Sequence, residues 1–165
     1  MKIKNVVVLF SLIGCLGALA ADTNSYPWLL TLSGGGNTTL NSGGSTAIGL
    51  DVGVGKEGKI LLPVEAGIRQ GVHYVSNGDD VVFDSKLYFD VFPIKFHRFE
   101  VGAGINGGVV YGNTPIVYSV APEGVVRLWI TEKAGIFGSV DYPFDLGKQV
   151  LGDRLTYKVG LIIRF

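Results

Sequence analysis

The segment Tyr157–Phe165, YKVGLIIRF, decides how the rest of the chain is interpreted. Its odd-numbered positions are all apolar or aromatic, and its even-numbered positions are polar or glycine apart from Ile162. Alternation with a period of two is typical of a β-strand that has one apolar and one polar face. The segment is therefore predicted to be a two-faced strand that ends on an aromatic residue.

The same alternation recurs in seven earlier runs. In the clearest of them, Ala47–Val54, every even-numbered position is a branched aliphatic residue and every odd-numbered position is alanine, glycine or aspartate. We expect each run to form a strand able to cross a bilayer, which takes about 9–11 tilted residues. Pro122 interrupts one run and predicts a local β-bulge. The seven predicted strands are Trp28–Gly34, Ala47–Val54, Ile60–Tyr74, Val81–Phe92, Phe99–Tyr111, Tyr118–Ile130 and Ala134–Phe144.

The predicted connections alternate between long and short. Short turns are expected at Gly55–Gly58, Pro93–Arg98 and Thr131–Lys133, and longer polar loops separate the other runs. In bacterial membrane barrels, short turns face the periplasm and longer loops face outward. This pattern predicts that both ends of the strand-forming region lie on the periplasmic side.

The last strand resembles the C-terminal signal strand of bacterial outer-membrane β-barrels, with Tyr157, Gly160 and Phe165 as the assembly signal. With eight runs, the chain resembles small outer-membrane barrels such as outer-membrane protein X, the membrane domain of outer-membrane protein A and the opacity proteins. The resemblance implies an all-β, eight-stranded antiparallel up-and-down transmembrane β-barrel in the bacterial outer membrane. Its implied partners are outer-membrane lipid, the barrel-assembly machinery and an unidentified extracellular partner. The implied role, carried by the extracellular loops, is structural or surface interaction in adhesion or envelope integrity.

The N-terminal region has the features of a secretory signal. Lys2 and Lys4 precede an apolar stretch, and residues 18–20 fit a small-x-small cleavage site. This predicts a signal peptide at 1–20 and a single barrel domain at 21–165. An N-terminal membrane anchor is one alternative, and lipidation of Cys15 is another, although the apolar residues after Cys15 are unlike a lipoprotein tether. Equal numbers of basic and acidic residues, 14 each, give no indication of a nucleic-acid partner.

Alternation alone fits two kinds of barrel. A soluble periplasmic ligand-binding barrel points its apolar face inward, whereas a membrane barrel points it toward lipid. The terminal aromatic residue, the signal, the loop pattern and aromatic residues near both strand ends favour apolar residues outside. We then expect the polar face to fill the lumen as a charge network that blocks a diffusion pore, with a narrow conduit as the alternative. The predicted inward set is Asp51, Glu65, Arg69, Asp84, Lys86, Asp90, Glu100, Glu123, Arg127, Asp141, Lys158 and Arg164.

A catalytic alternative is an outer-membrane lipid hydrolase similar to the lipid A deacylases. His73 and Ser76 lie near the outer end of a run with Asp79 and Asp80 nearby, but the spacing departs from the His-x-Ser pattern of those enzymes. The same residues are typical of an ordinary turn, so we predict no enzyme activity. Two histidines without ligand-like spacing predict no metal site, and no cofactor is expected. A Gly-x-Gly-x-x-Gly match at 102–107 lies inside a predicted strand, which is the wrong context for nucleotide binding.

Overall fold

The computed structural model describes residues 26–40, 46–76, 80–112, 116–146 and 154–165. The predicted signal peptide, Cys15, the start of the barrel domain and Asp79 lie outside these ranges. Within the described ranges, no helix has both the length and the apolar character needed to cross a membrane.

The described residues form one closed antiparallel sheet. The strands are β1 Trp28–Thr39, β2 Ala47–Lys59, β3 Pro63–Val75, β4 Asp80–Phe96, β5 Phe99–Gly112, β6 Val117–Trp129, β7 Ala134–Asp141, β8 Phe144–Leu146 and β9 Arg154–Arg164. Strands β1 to β6 each pair with the next strand in the chain, β8 pairs with β6, and the last strand, β9, pairs with both β7 and β1. Leu30 lies opposite Ile163, and Trp28 and Phe165 exchange two backbone hydrogen bonds of 2.9 Å at the seam.

Strands β7 and β8 together occupy one position in the barrel wall. Both pair with β6 in a continuous register, with Glu123 opposite Asp141 and Val120 opposite Phe144. The two residues between them, including Pro143, interrupt the strand because proline cannot donate to the ladder. The nine strands therefore fill eight positions, which confirms the predicted eight-stranded antiparallel up-and-down barrel.

Two of the predicted short turns were wrong. The expected turn at Gly55–Gly58 is part of β2, which continues to Lys59 and turns at residues 60–62. The expected connection at Pro93–Arg98 is mostly strand, since β4 continues to Phe96. Cross-strand pairing extends both hairpins past their glycine and proline residues, because each added pair satisfies further backbone groups.

The predicted bulge at Pro122 was also wrong. Pro122 keeps its register with Ile105 and is exposed on the outer face. The proline is tolerated because, on the side of β6 away from β5, the hydrogen-bond ladder is already interrupted between β7 and β8. The bulge lies instead in β4 at Pro93, where one extra residue separates Val91 from Ile94 relative to β5.

The apolar parity of the strands faces outward. Ile48 is 70% exposed and Leu161 is 54% exposed, whereas Arg69 is 7% exposed and Lys158 is 2% exposed. In a water-soluble barrel these exposures would be reversed, because burial of apolar surface drives folding in water. The arrangement is that of a barrel whose surroundings are apolar.

One polar residue on the outer face, Gln70, has its own partners in the wall. Its amide nitrogen donates to the Tyr111 hydroxyl at 3.1 Å, and the Ser85 hydroxyl donates to its amide oxygen at 2.6 Å. Because these groups satisfy each other, the exception costs less than an unpaired amide facing an apolar medium.

Candidate functional site

The barrel interior holds the charged residues of the inward parity. Asp51, Glu65, Arg69, Asp84, Lys86, Asp90, Glu100, Glu123, Arg127, Asp141 and Lys158 are all buried. Arg164, at the end of the barrel that carries the short turns, retains 22% exposure of its side chain. Glycine makes room for them where strands and side chains approach closely. A Cβ on Gly104 would lie 2.1 Å from Asp90 Oδ1, so any residue larger than glycine at this position would clash with that carboxylate.

Arg69 is at the centre of the interior. Its Nη1 donates to both Glu123 oxygens, at 2.5 and 2.7 Å, and its Nη2 lies 3.4 Å from Asp90 Oδ2. Asn106 donates to Glu123 at 3.2 Å from a fourth strand. These contacts connect β3, β4, β5 and β6 through one buried group of polar side chains.

A second group lies nearer the end of the barrel that carries the short turns. Glu65 accepts one hydrogen bond from the Tyr88 hydroxyl and another from the Arg127 guanidinium. Arg127 also lies 3.8 Å from Glu100, which Lys95 approaches at 2.6 Å. Lys95 reaches inward because the bulge at Pro93 shifts its parity, a change that the alternation pattern alone did not predict.

A third group lies toward the outer end. Lys158 donates to Asp51 at 2.7 Å, and Lys86 lies 3.2 Å from Asp84. His73 lies between the two carboxylates, with Nε2 3.7 Å from Asp51 Oδ1 and 3.4 Å from Asp84 Oδ2. His73 has the same parity as Arg69 in the sequence, but the alternation gave no reason to group it with these aspartates.

An apolar layer lies on one side of the interior, near the end of the barrel that carries the short turns, and the sequence analysis missed it. Leu29, Trp129, Phe137 and Ile162 pack together and are buried. Each of these residues lies on the inward face of its strand, among polar residues. In the sequence, Ile162 was the one apolar residue on the polar face of the last strand, and it could have indicated this layer. Below this layer lies a cleft of about 630 Å³, whose lining includes Trp129 and Arg164.

Aromatic rings support three of the inward arginines. In each pair the guanidinium carbon lies 4.0 Å from the ring centroid, close enough for a cation–π contact. The pairs are Arg69 with Tyr88, Arg127 with Phe92, and Arg164 with Trp129. Arg164 also donates to Glu57 at 2.5 Å, which ties β9 to β2 across β1.

A further ion pair near the outer rim was not predicted. Arg154 donates to both oxygens of Asp145, at 3.0 and 3.2 Å. The sequence analysis assigned both residues to a loop, but Arg154 begins β9 and Asp145 lies in β8. The contact joins β8 to β9 at the end of the barrel opposite the short turns.

The catalytic alternative gains no support from the described residues. His73 faces Asp51 and Asp84 inside the barrel. Ser76 lies at the rim, where its hydroxyl is 3.0 Å from that of Thr46. A histidine base must lie within hydrogen-bond reach of its serine. His73 and Ser76 instead contact different residues in different parts of the barrel.

The predicted assembly residues lie on the last strand as follows. Tyr157 and Phe165 project outward and are exposed. Gly160 pairs with Ser33, and a Cβ there would lie 2.2 Å from the Leu32 carbonyl oxygen. The glycine therefore permits close contact between β9 and β1 at the barrel seam.

No protein-family model and no curated protein sequence matches this chain. Among solved structures, the chain is similar to the crystal structure of neisserial surface protein A, with a TM-score of 0.57 and 12% identity, covering 85% of this chain and 97% of that one. A de novo designed transmembrane β-barrel aligns with a TM-score of 0.49 and 10% identity, covering 87% and 99% of the two chains. The first similarity confirms the predicted resemblance in fold to the small eight-stranded outer-membrane barrels.

Proposed function

We propose that this chain is an integral protein of the bacterial outer membrane with a structural or surface-interaction role. The observation that carries the proposal is the outward apolar face, on which residues such as Leu50, Leu87 and Val159 are each more than half exposed. Monomeric soluble proteins rarely expose a continuous apolar patch larger than a few hundred Å². Outer-membrane lipid is the partner that covers such a surface all the way around a barrel.

The filled interior supports a structural role over transport of solutes. The charges are paired across the lumen in several layers, and an apolar layer packs beside them inside the barrel. An eight-stranded barrel encloses little more space than its side chains fill. Solute passage would require several buried ion pairs to open together, at a high cost in free energy.

The longer connections of the chain are proposed to carry surface interaction. They are centred on residues 41–45 and 147–153, at the barrel end opposite the short turns. In outer-membrane barrels the longer loops are extracellular. An extracellular partner would therefore meet these loops in a role in adhesion or envelope integrity.

Assembly is proposed to depend on the barrel-assembly machinery, which would read Tyr157, Gly160 and Phe165 on the last strand. Because β9 closes the barrel against β1, recognition of β9 would precede closure of the seam. The outward direction of Tyr157 and Phe165 leaves both rings accessible.

Cell fractionation combined with heat-modifiable gel migration tests this proposal. We expect the chain in the outer-membrane fraction, migrating faster before boiling than after. Protease added to whole cells should cut near residues 41–45 or 147–153 and spare the turns at 60–62 and 130–133. Recovery in the soluble periplasmic fraction would contradict membrane integration, and cleavage confined to the short turns would reverse the orientation.

A further inference from the structure

Three metal-ligating side chains converge inside the barrel from adjacent strands. Asp51 on β2, His73 on β3 and Asp84 on β4 are buried, and each offers a ligand atom within 4.8 Å of the others. A Cβ added to Gly71 would lie 2.4 Å from Asp84 Oδ1, 2.5 Å from His73 Nε2 and 2.7 Å from Asp51 Oδ1. The three atoms therefore converge beside Gly71, and they can approach one another because residue 71 has no Cβ.

Two of the three converging atoms have no hydrogen-bond partner. His73 Nε2 and Asp84 Oδ1 are buried and make no hydrogen bond to the described residues, whereas Asp51 Oδ1 accepts one from Lys158. Buried polar atoms are normally satisfied, and leaving one unsatisfied costs about 1–3 kcal/mol. Two such atoms beside a third carboxylate oxygen indicate that the site is built for a group that supplies the missing interactions.

We propose that Asp51, His73 and Asp84 bind a zinc ion. Zinc takes imidazole nitrogen and carboxylate oxygen ligands at about 2.0–2.2 Å in tetrahedral geometry. At such distances, neighbouring ligand atoms lie about 3.4 Å apart. His73 Nε2 already lies 3.4 Å from Asp84 Oδ2 and 3.7 Å from Asp51 Oδ1, and the ligand atoms all lie within 4.8 Å of one another, so zinc binding requires the two carboxylates to turn from their lysines toward the ion.

The ligand set favours zinc over calcium or magnesium. Those harder ions prefer more ligands, all of them oxygen, whereas this site offers one imidazole and two carboxylates. Three protein ligands leave a fourth tetrahedral position for water. The site lies in the interior toward the outer end, and the inference does not depend on the proposed surface role.

The neighbouring lysines orient the carboxylates and do not exclude a cation. Lys158 and Lys86 each contact one aspartate, which leaves Asp51 Oδ2 and Asp84 Oδ1 without hydrogen bonds. Asp141 interacts electrostatically with both lysines. The group thus holds three carboxylates against two ammonium groups, and this excess of negative charge favours uptake of a cation. The lysines act as outer partners of the two carboxylates.

Metal uptake by the purified chain tests the site. The chain is folded in detergent micelles, stripped with a chelator and titrated with zinc chloride by calorimetry. We expect saturation at one zinc per chain, and X-ray absorption should show one imidazole nitrogen with oxygen ligands at about 2.0–2.2 Å. Absence of saturable binding, or a zinc spectrum without imidazole, would overturn the proposal. Displacement of zinc by excess calcium would overturn the choice of metal.

Two histidine variants separate this site from binding at the surface. His73→Ala should weaken zinc binding at least about tenfold, because even outer partners of a metal site contribute 10–100-fold. His97→Asn should leave binding unchanged, since His97 is exposed in the turn after β4 and asparagine tolerates its positive φ of 51°. The reverse result would place the zinc on the surface. If His73→Ala does not reach the folded form on a gel, the X-ray absorption result on the unaltered chain decides.

Discussion

Arg127 on β6 donates a hydrogen bond to Glu65 on β3, across the interior of the barrel. The two residues are 62 positions apart in the chain and three strands apart around the wall. Both side chains are almost completely buried. The ion pair therefore braces the barrel from within, and neither partner could keep its charge there alone without a large cost in free energy.

Glu65→Gln should destabilise the folded barrel. The change leaves Arg127 with only the more distant Glu100, and removing one partner of a buried ion pair costs about 3–5 kcal/mol. Urea unfolding in lipid vesicles measures the free energy of unfolding. Glu132→Gln, in the exposed turn after β6, is the matched control and should change that free energy by less than about 0.5 kcal/mol. Equal effects of the two variants would show that the interior pair does not brace the barrel.

Gly104→Ala tests whether interior glycines are needed for space, and Gly124→Ala on the outer face is its control. A Cβ at Gly104 would lie 2.1 Å from Asp90 Oδ1 and 2.2 Å from the Phe89 carbonyl oxygen, whereas a Cβ at Gly124 meets nothing within 4 Å. Overpacking typically costs about 1–3 kcal/mol. Folded and unfolded forms separated by unboiled gel migration should show loss of stability for Gly104→Ala alone. A tolerated Gly104→Ala would mean that the interior is looser than these contacts require.

Phe165→Ala should reduce assembly in cells while leaving the folded barrel nearly as stable. The substitution keeps the backbone hydrogen bonds to Trp28 and removes only the outward ring. Pulse-chase appearance of the heat-modifiable form measures assembly, and refolding into detergent measures stability. Phe144→Ala, another exposed aromatic residue on the outer wall, is the control and should assemble normally. Normal assembly of Phe165→Ala would refute the signal-strand interpretation of Tyr157, Gly160 and Phe165.

The period-two alternation was enough to predict the barrel because it is a local property of each strand. In Tyr157–Phe165 the faces can be assigned without knowing any neighbour. Turn positions were harder to predict, since the pairing of Lys59 with Pro63 extends a hairpin past Gly55 and Gly58. Element ends depend on such tertiary pairing and not on turn residues alone.

The interior groups could be predicted only as a set of inward charges, without their pairing. Asp51 meets Asp84 because both lie opposite Gly71, and that register is a property of three aligned strands. Lys95 points inward only because of the bulge at Pro93. Trp129 and Phe137 were missed because each is a single apolar residue on an otherwise polar face, which alternation treats as noise.

Quenching of tryptophan fluorescence by brominated lipid tests most directly which face of the wall meets the membrane. The chain has two tryptophans. Trp28→Phe leaves Trp129 as the probe of the interior, where it is buried. Leu161→Trp, with both native tryptophans changed to phenylalanine, places the probe on the outer wall. In vesicles brominated on their acyl chains, the account predicts strong quenching of the probe at position 161 and weak quenching of Trp129. Strong quenching of Trp129 with little effect at position 161 would contradict it.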